Sequence, residues 1–77
     1  MFLKIFSERL SELRKANNLS QSELAKAIGK SHDIICSLEL GRRTSTPETY
    51  IAIAQYFGVS LDYLFGLSDI PNISRTA

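Results

Sequence analysis

The stretch Leu19-Ser20-Gln21-Ser22-Glu23-Leu24-Ala25-Lys26-Ala27-Ile28-Gly29-Lys30-Ser31-His32 decides how this chain folds. Ser20 followed three places later by Glu23 is a capping box, in which each side chain accepts the backbone N–H of the other residue. Leu19 and Leu24 flank it, where a hydrophobic staple sets the entry angle of the chain. A helix is predicted from Gln21 to Ile28, with Leu24, Ala25 and Ile28 inward at helical spacing. Gly29 ends it, because the position after a helix commonly turns left-handed and glycine does so without steric cost. Ser31 offers a second N-cap. A further helix is predicted from His32 to Leu40, with Ile35 and Leu38 inward and Gly41 at its end.

Two short helices separated only by Gly29-Lys30-Ser31 must cross steeply, which is the helix-turn-helix arrangement. Upstream, Phe6, Leu10 and Leu13 recur at helical spacing and predict a helix from about Ser7 to Ala16, stopped by Asn17-Asn18. Downstream, Arg42 to Thr46 is a polar connector. Thr46 reads as an N-cap with Pro47 at the first helical position, opening a helix that carries Tyr50, Ile51, Ile53, Ala54 and Phe57. Gly58 stops it. Ser60 caps a last helix, Leu61 to Phe65, with Asp62 placed well for the helix dipole, and Gly66 ends that. The expected architecture is all-α, a compact bundle of five helices occupying residues 1–67. Residues 68–77 are expected to form a loosely ordered tail, because they include Pro71 and few packing side chains.

Seventy-seven residues hold one domain with one core. The chain is 44% hydrophobic and 22% charged, as soluble globular proteins are. Its single cysteine, Cys36, excludes an internal disulfide and fits a reducing cytoplasm. One Cys and one His cannot supply the four ligands of a closed metal site, so no metal and no cofactor is expected. The apolar opening Met1–Phe6 is too short to read as a signal peptide, and no stretch reaches the length of a membrane span. The net charge of +1 leaves the partner class open, so the local distribution of charge has to decide it.

Leu19-Ser20-Gln21-Ser22-Glu23-Leu24-Ala25, then Gly29, Ile35, Leu38-Glu39 and Gly41-Arg42, resemble the lambda-repressor-like (Cro/C1-type, xenobiotic-response-element) helix-turn-helix domains. Glu48-Thr49, Ala54 and Gly58-Val59-Ser60-Leu61-Asp62-Tyr63-Leu64 extend the resemblance, which spans Phe6 to Leu67. It implies five helices with the second and third forming the DNA-reading unit. It also implies a transcriptional regulator of repressor type, acting as a homodimer on an approximately palindromic stretch of double-stranded DNA.

In such domains the third helix enters the major groove. The outward residues here are His32, Asp33, Cys36 and Ser37. A His nitrogen can donate to guanine and a Ser hydroxyl can donate or accept. Asp33 departs from the usual amide or small polar residue: it either accepts from a cytosine amino group or simply favours the positive end of its helix. Cys36 reads as a small, soft residue that touches a thymine methyl or nothing. Ile34 and Leu40 also stand where polar residues are common. Phosphate contacts are expected from Ser20, Gln21, Lys30, Arg42, Arg43, Thr44 and Ser45, which bracket the reading helix. The matching Gln of the family holds a phosphate and steadies the first side chain of the reading helix. The resemblance further implies a structural ion pair between Arg14 and Glu39. Of the apolar side chains towards the C-terminus, some must close the core, and Tyr56, Tyr63 and Leu67 are the candidates for a self-complementary dimer interface.

Two other classes compete. A protein-interaction module of the same fold, of antitoxin or anti-repressor type, would suit the near-neutral charge, Asp33, Ile34 and Leu40. An enzyme would need a convergent nucleophile, base and orienting group. His32 and Cys36, four apart on one helix, are the only pair that could touch, and they lie on an expected outer face without a pocket.

Overall fold

The computed structural model describes residues 2–71, with the side chains of Phe2 and Leu3 left out of the account. The described residues form five helices: α1 (Phe2–Ala16), α2 (Gln21–Ala27), α3 (His32–Leu40), α4 (Pro47–Phe57) and α5 (Leu61–Leu64). Each helix contributes to one core. Phe6 and Leu10 come from α1, Leu24 and Ala25 from α2, Ile35 and Leu38 from α3, Ile53 and Ala54 from α4, and Leu64 from α5, with Val59 between the last two. A fully buried Leu, Ile or Phe contributes about 1.5–3 kcal/mol through water exclusion. The spacing that predicts the helices therefore also selects which face closes on the others.

Three boundaries differ from the sequence expectation, the slightest at α2, which ends at Ala27 with Ile28 as its C-cap. The first helix begins at Phe2 rather than near Ser7. Phe6 is fully buried, edge-on to Tyr50 with ring centroids 5.1 Å apart and stacked on Phe65 at 5.4 Å. Ser7 is mid-helix, 7% exposed, and its hydroxyl donates to the Leu38 carbonyl. The last helix ends at Leu64, with Phe65 as its C-cap.

Ser68 to Pro71 is tied to the bundle: Arg9 Nη1 donates to the Ser68 carbonyl at 2.8 Å, and the Ser60 N–H donates to the Pro71 carbonyl at 2.9 Å. Residues 72–77, the rest of the expected tail, lie outside the described residues. Gly66 at the root of this segment has φ +81°, and a Cβ there would stand 2.8 Å from Ile5 Cδ1. Glycine is thus required both for the left-handed turn and for the close approach of α1.

Candidate nucleic-acid interface

The α2–turn–α3 unit is built by its caps. Ser20 Oγ accepts from the Glu23 N–H at 3.0 Å and Glu23 Oε1 accepts from the Ser20 N–H at 2.8 Å. Ser31 Oγ accepts from the Ile34 N–H at 3.3 Å. Between them Gly29 takes φ +71°. The Gly29 N–H donates to Lys26 O, and the Lys30 N–H to Ala25 O at 2.8 Å. That paired bonding satisfies the last carbonyls of α2 while reversing the chain, and it leaves α3 to start at His32 with only four residues separating it from Ala27.

At about 3.6 residues per turn, His32, Asp33, Cys36 and Ser37 fall on one side of α3, with Leu40 continuing the same strip. Ile35 and Leu38 occupy the opposite side and are buried. His32 and Asp33 are exposed, Cys36 and Ser37 half-buried, and Leu40 is 56% exposed. The expected base-reading set is therefore brought together on one outward arc. Ile34 packs against the core and, with Leu38, forms the floor of a hollow of about 310 Å³ whose rim is Arg43 to Thr46.

Lys30 is half-buried, and Arg42, Arg43 and Thr44 are exposed in the connector after α3. The other expected phosphate residues are partly committed. Ser20 Oγ serves the cap of α2. The Ser45 N–H donates to the Tyr50 hydroxyl at 2.9 Å and its Oγ to Thr49 Oγ1 at 2.9 Å, so Ser45 holds the start of α4. Thr46 is the N-cap residue of α4, with its hydroxyl 3.3 Å from that of Thr49 rather than on a backbone amide. Gln21 Nε2 donates to Glu39 Oε1 at 3.1 Å. Glu39 lies at the far end of α3 from His32, so the steadying of the first reading side chain implied by the resemblance is replaced by a bond to the helix's last turn.

Arg14 and Glu39 form a two-bond pair, Nε to Oε2 at 2.6 Å and Nη2 to Oε1 at 3.1 Å, with side chains 13% and 7% exposed. Arg14 Nη1 also donates to the Leu19 carbonyl at 2.8 Å. The hydrogen bond to Glu39 raises the pKa of Arg14 above its ordinary value, with burial opposing and the carboxylate's charge assisting. The network ties α1, the turn before α2, the first residue of α2 and the last turn of α3 together. It also neutralises the one acid in the last turn of α3.

Of the expected interface residues, Tyr56 is 46% and Leu67 68% exposed. Tyr63 is half-buried, and the Arg9 guanidinium lies 4.2 Å from its ring centre. Sequence reading missed Ile51 and Leu61, which are 43% and 37% exposed and line a shallow groove of about 370 Å³ between α4 and α5. Their apolar character alone could not distinguish them from core. Among the described residues, no helix is long and apolar enough to cross a membrane.

A family model described as helix-turn-helix matches residues 10–64. The chain is 31% identical over 68 residues to the HTH-type transcriptional regulator YobD of Bacillus subtilis, covering 88% of this chain and 61% of that protein. It is 30% identical over 71 residues to the HTH-type transcriptional activator BcrR of Enterococcus faecalis, covering 92% of this chain and 35% of BcrR. It therefore spans less than two thirds of either relative. The restriction-modification controller protein C.AhdI from Aeromonas hydrophila has a similar structure, with a TM-score of 0.74 and 32% identity over 82% of this chain and 96% of C.AhdI.

Proposed function

Because the chain belongs to the helix-turn-helix family, we propose that it binds double-stranded DNA sequence-specifically as a transcriptional regulator, with α3 in the major groove. The observation that carries this reading is the outward arc of His32, Asp33, Cys36 and Ser37 on a helix fixed by two caps and an ion pair, with Lys30 and Arg42–Arg43 at its ends. Polar side chains on a rigid helix can meet base edges, and flanking cations neutralise phosphates. Lys30, Arg42, Arg43, Thr44 and Gln21 supply the backbone contacts, whereas Ser20 and Ser45 chiefly hold helix starts. The protein acts in the cytoplasm, where its DNA is. Whether it represses or activates depends on where the operator lies relative to the promoter, which this fold does not encode; YobD is named a regulator and BcrR an activator.

The DNA-bound form is a homodimer on an approximately palindromic operator, as a twofold pair of reading helices requires. Its interface uses Tyr56, Leu67, Ile51 and Leu61, with Tyr63 beneath Arg9 acting as support. Selection of bound sequences from random duplexes tests both claims, since two inverted half-sites are expected. On the selected operator, His32→Ala and Ser37→Ala each weaken binding by about 1–3 kcal/mol while binding to random duplex holds. Arg43→Ala weakens binding to every duplex and makes its salt dependence shallower. Equal loss on both duplexes would remove His32 and Ser37 from base reading. A chain that ignores all duplexes at low ionic strength would leave the protein-interaction module as the better reading.

A further inference from the structure

Gln21 and Glu39 stand on different helices, and their contact is not needed to hold either helix. The Arg14 pair already ties α1 to α3, and Ser20 with Glu23 already caps α2. Yet Glu39 Oε1 accepts from both Arg14 Nη2 and Gln21 Nε2, each at 3.1 Å. Glutamine is among the side chains that lose most rotamer freedom when ordered, and a side chain ordered beforehand binds without that loss. An amide nitrogen carries two hydrogens in one plane. With one given to Glu39, the direction of the other is set.

We propose that Glu39 is a positioning residue for DNA binding: it locks the Gln21 amide so that the second N–H of the same nitrogen meets a backbone phosphate. Arg14 has a second part in this. A bare carboxylate beside a phosphate would repel it, and the two-bond pair with Arg14 cancels that charge while leaving Oε1 able to accept from Gln21. The buried pair thus serves the DNA face as well as the fold. This inference rests on the DNA-binding reading above.

The test compares variants on the selected operator and on a random duplex, with helix content followed by circular dichroism. Gln21→Ala is expected to weaken binding to both duplexes about tenfold, the effect of one hydrogen bond to a charged group. The double variant Arg14→Met with Glu39→Met replaces the pair by apolar side chains and removes the anchor. It should lose the same factor, and adding Gln21→Ala to it should cost nothing more, since the two changes act through one contact. Glu39→Gln keeps an acceptor oxygen and should stay closer to the wild type than to Gln21→Ala. A further full tenfold loss in the triple variant, or no loss for Gln21→Ala in the wild-type background, overturns the proposal. If the double variant does not fold, the wild type decides. Its Gln21 side-chain amide signals in nuclear magnetic resonance must differ from those of free glutamine and move when duplex is added; signals indistinguishable from free glutamine overturn the proposal. Absence of any duplex binding by the wild type, with those amide signals still displaced, is failure of the DNA-binding reading itself and takes the DNA role of Glu39 with it.

Discussion

Two arginines of α1, five residues apart, grip different parts of the chain by different chemistry. Arg14 holds Glu39, a carboxylate 7% exposed, through two bonds. Arg9 meets Asp69 at 3.0 Å, but that carboxylate is 96% exposed. Arg9's firmer partners are backbone: its Nη1 donates to the carbonyls of Tyr63 and Ser68, and its guanidinium lies over the Tyr63 ring. Arg14 is held by a desolvated charge pair, Arg9 by carbonyls and an aromatic face. The lesson is that a contact's geometry says little about its worth until the exposure of both partners is known. A buried carboxylate left unpaired is costly, whereas an exposed one returns to water.

The difference between the two arginines is greatest in what their loss costs. Arg14→Met strands Glu39 without its cation and should lower unfolding free energy by about 3–5 kcal/mol. The double Arg14→Met, Glu39→Met variant should recover much of that loss in thermal melting. A single variant that melts with the wild type would mean that the pair is solvated after all. Around Arg9 the largest effect should come from Gly66→Ala, at about 1–3 kcal/mol, because alanine strains the left-handed turn and meets Ile5. Arg9→Met should cost less, about 1–2 kcal/mol for its hydrogen bonds to carbonyls. Faster amide exchange at Ser60, whose N–H is bonded to Pro71, should accompany that loss if Arg9 secures the segment after Gly66. Smallest of all, Asp69→Asn should leave the melting temperature unchanged, since its carboxylate is solvated. A clear drop would place charge rather than backbone bonding at the centre of the Arg9 clamp.

The helices of the helix-turn-helix unit were legible because their signals are local. Ser20 with Glu23, Gly29, Ser31 and Gly41 each act on backbone groups within a few positions of themselves, so their order alone predicts α2, the turn and the exact span of α3. The outward arc of His32, Asp33, Cys36 and Ser37 follows from the helical period once Ile35 and Leu38 are known to face inward. The start of α1 was less legible, since Ser7 reads as a helix opening when only neighbours are considered. Its hydroxyl instead bonds to Leu38, on another helix.

What the chain's order of residues settled was the set of helices, their caps and the face each turns to the core, because all three depend on spacing of a few residues. Where Arg9, Gln21 and the segment from Ser68 to Pro71 end up was settled by folding. Arg9 chiefly seeks carbonyls, which every residue carries and no composition marks, and Gln21 meets a carboxylate brought within reach only when α2 and α3 pack on α1. Ile51 and Leu61 teach the same point from the apolar side: burial depends on which surfaces the other helices leave uncovered, and that is a property of the assembled bundle.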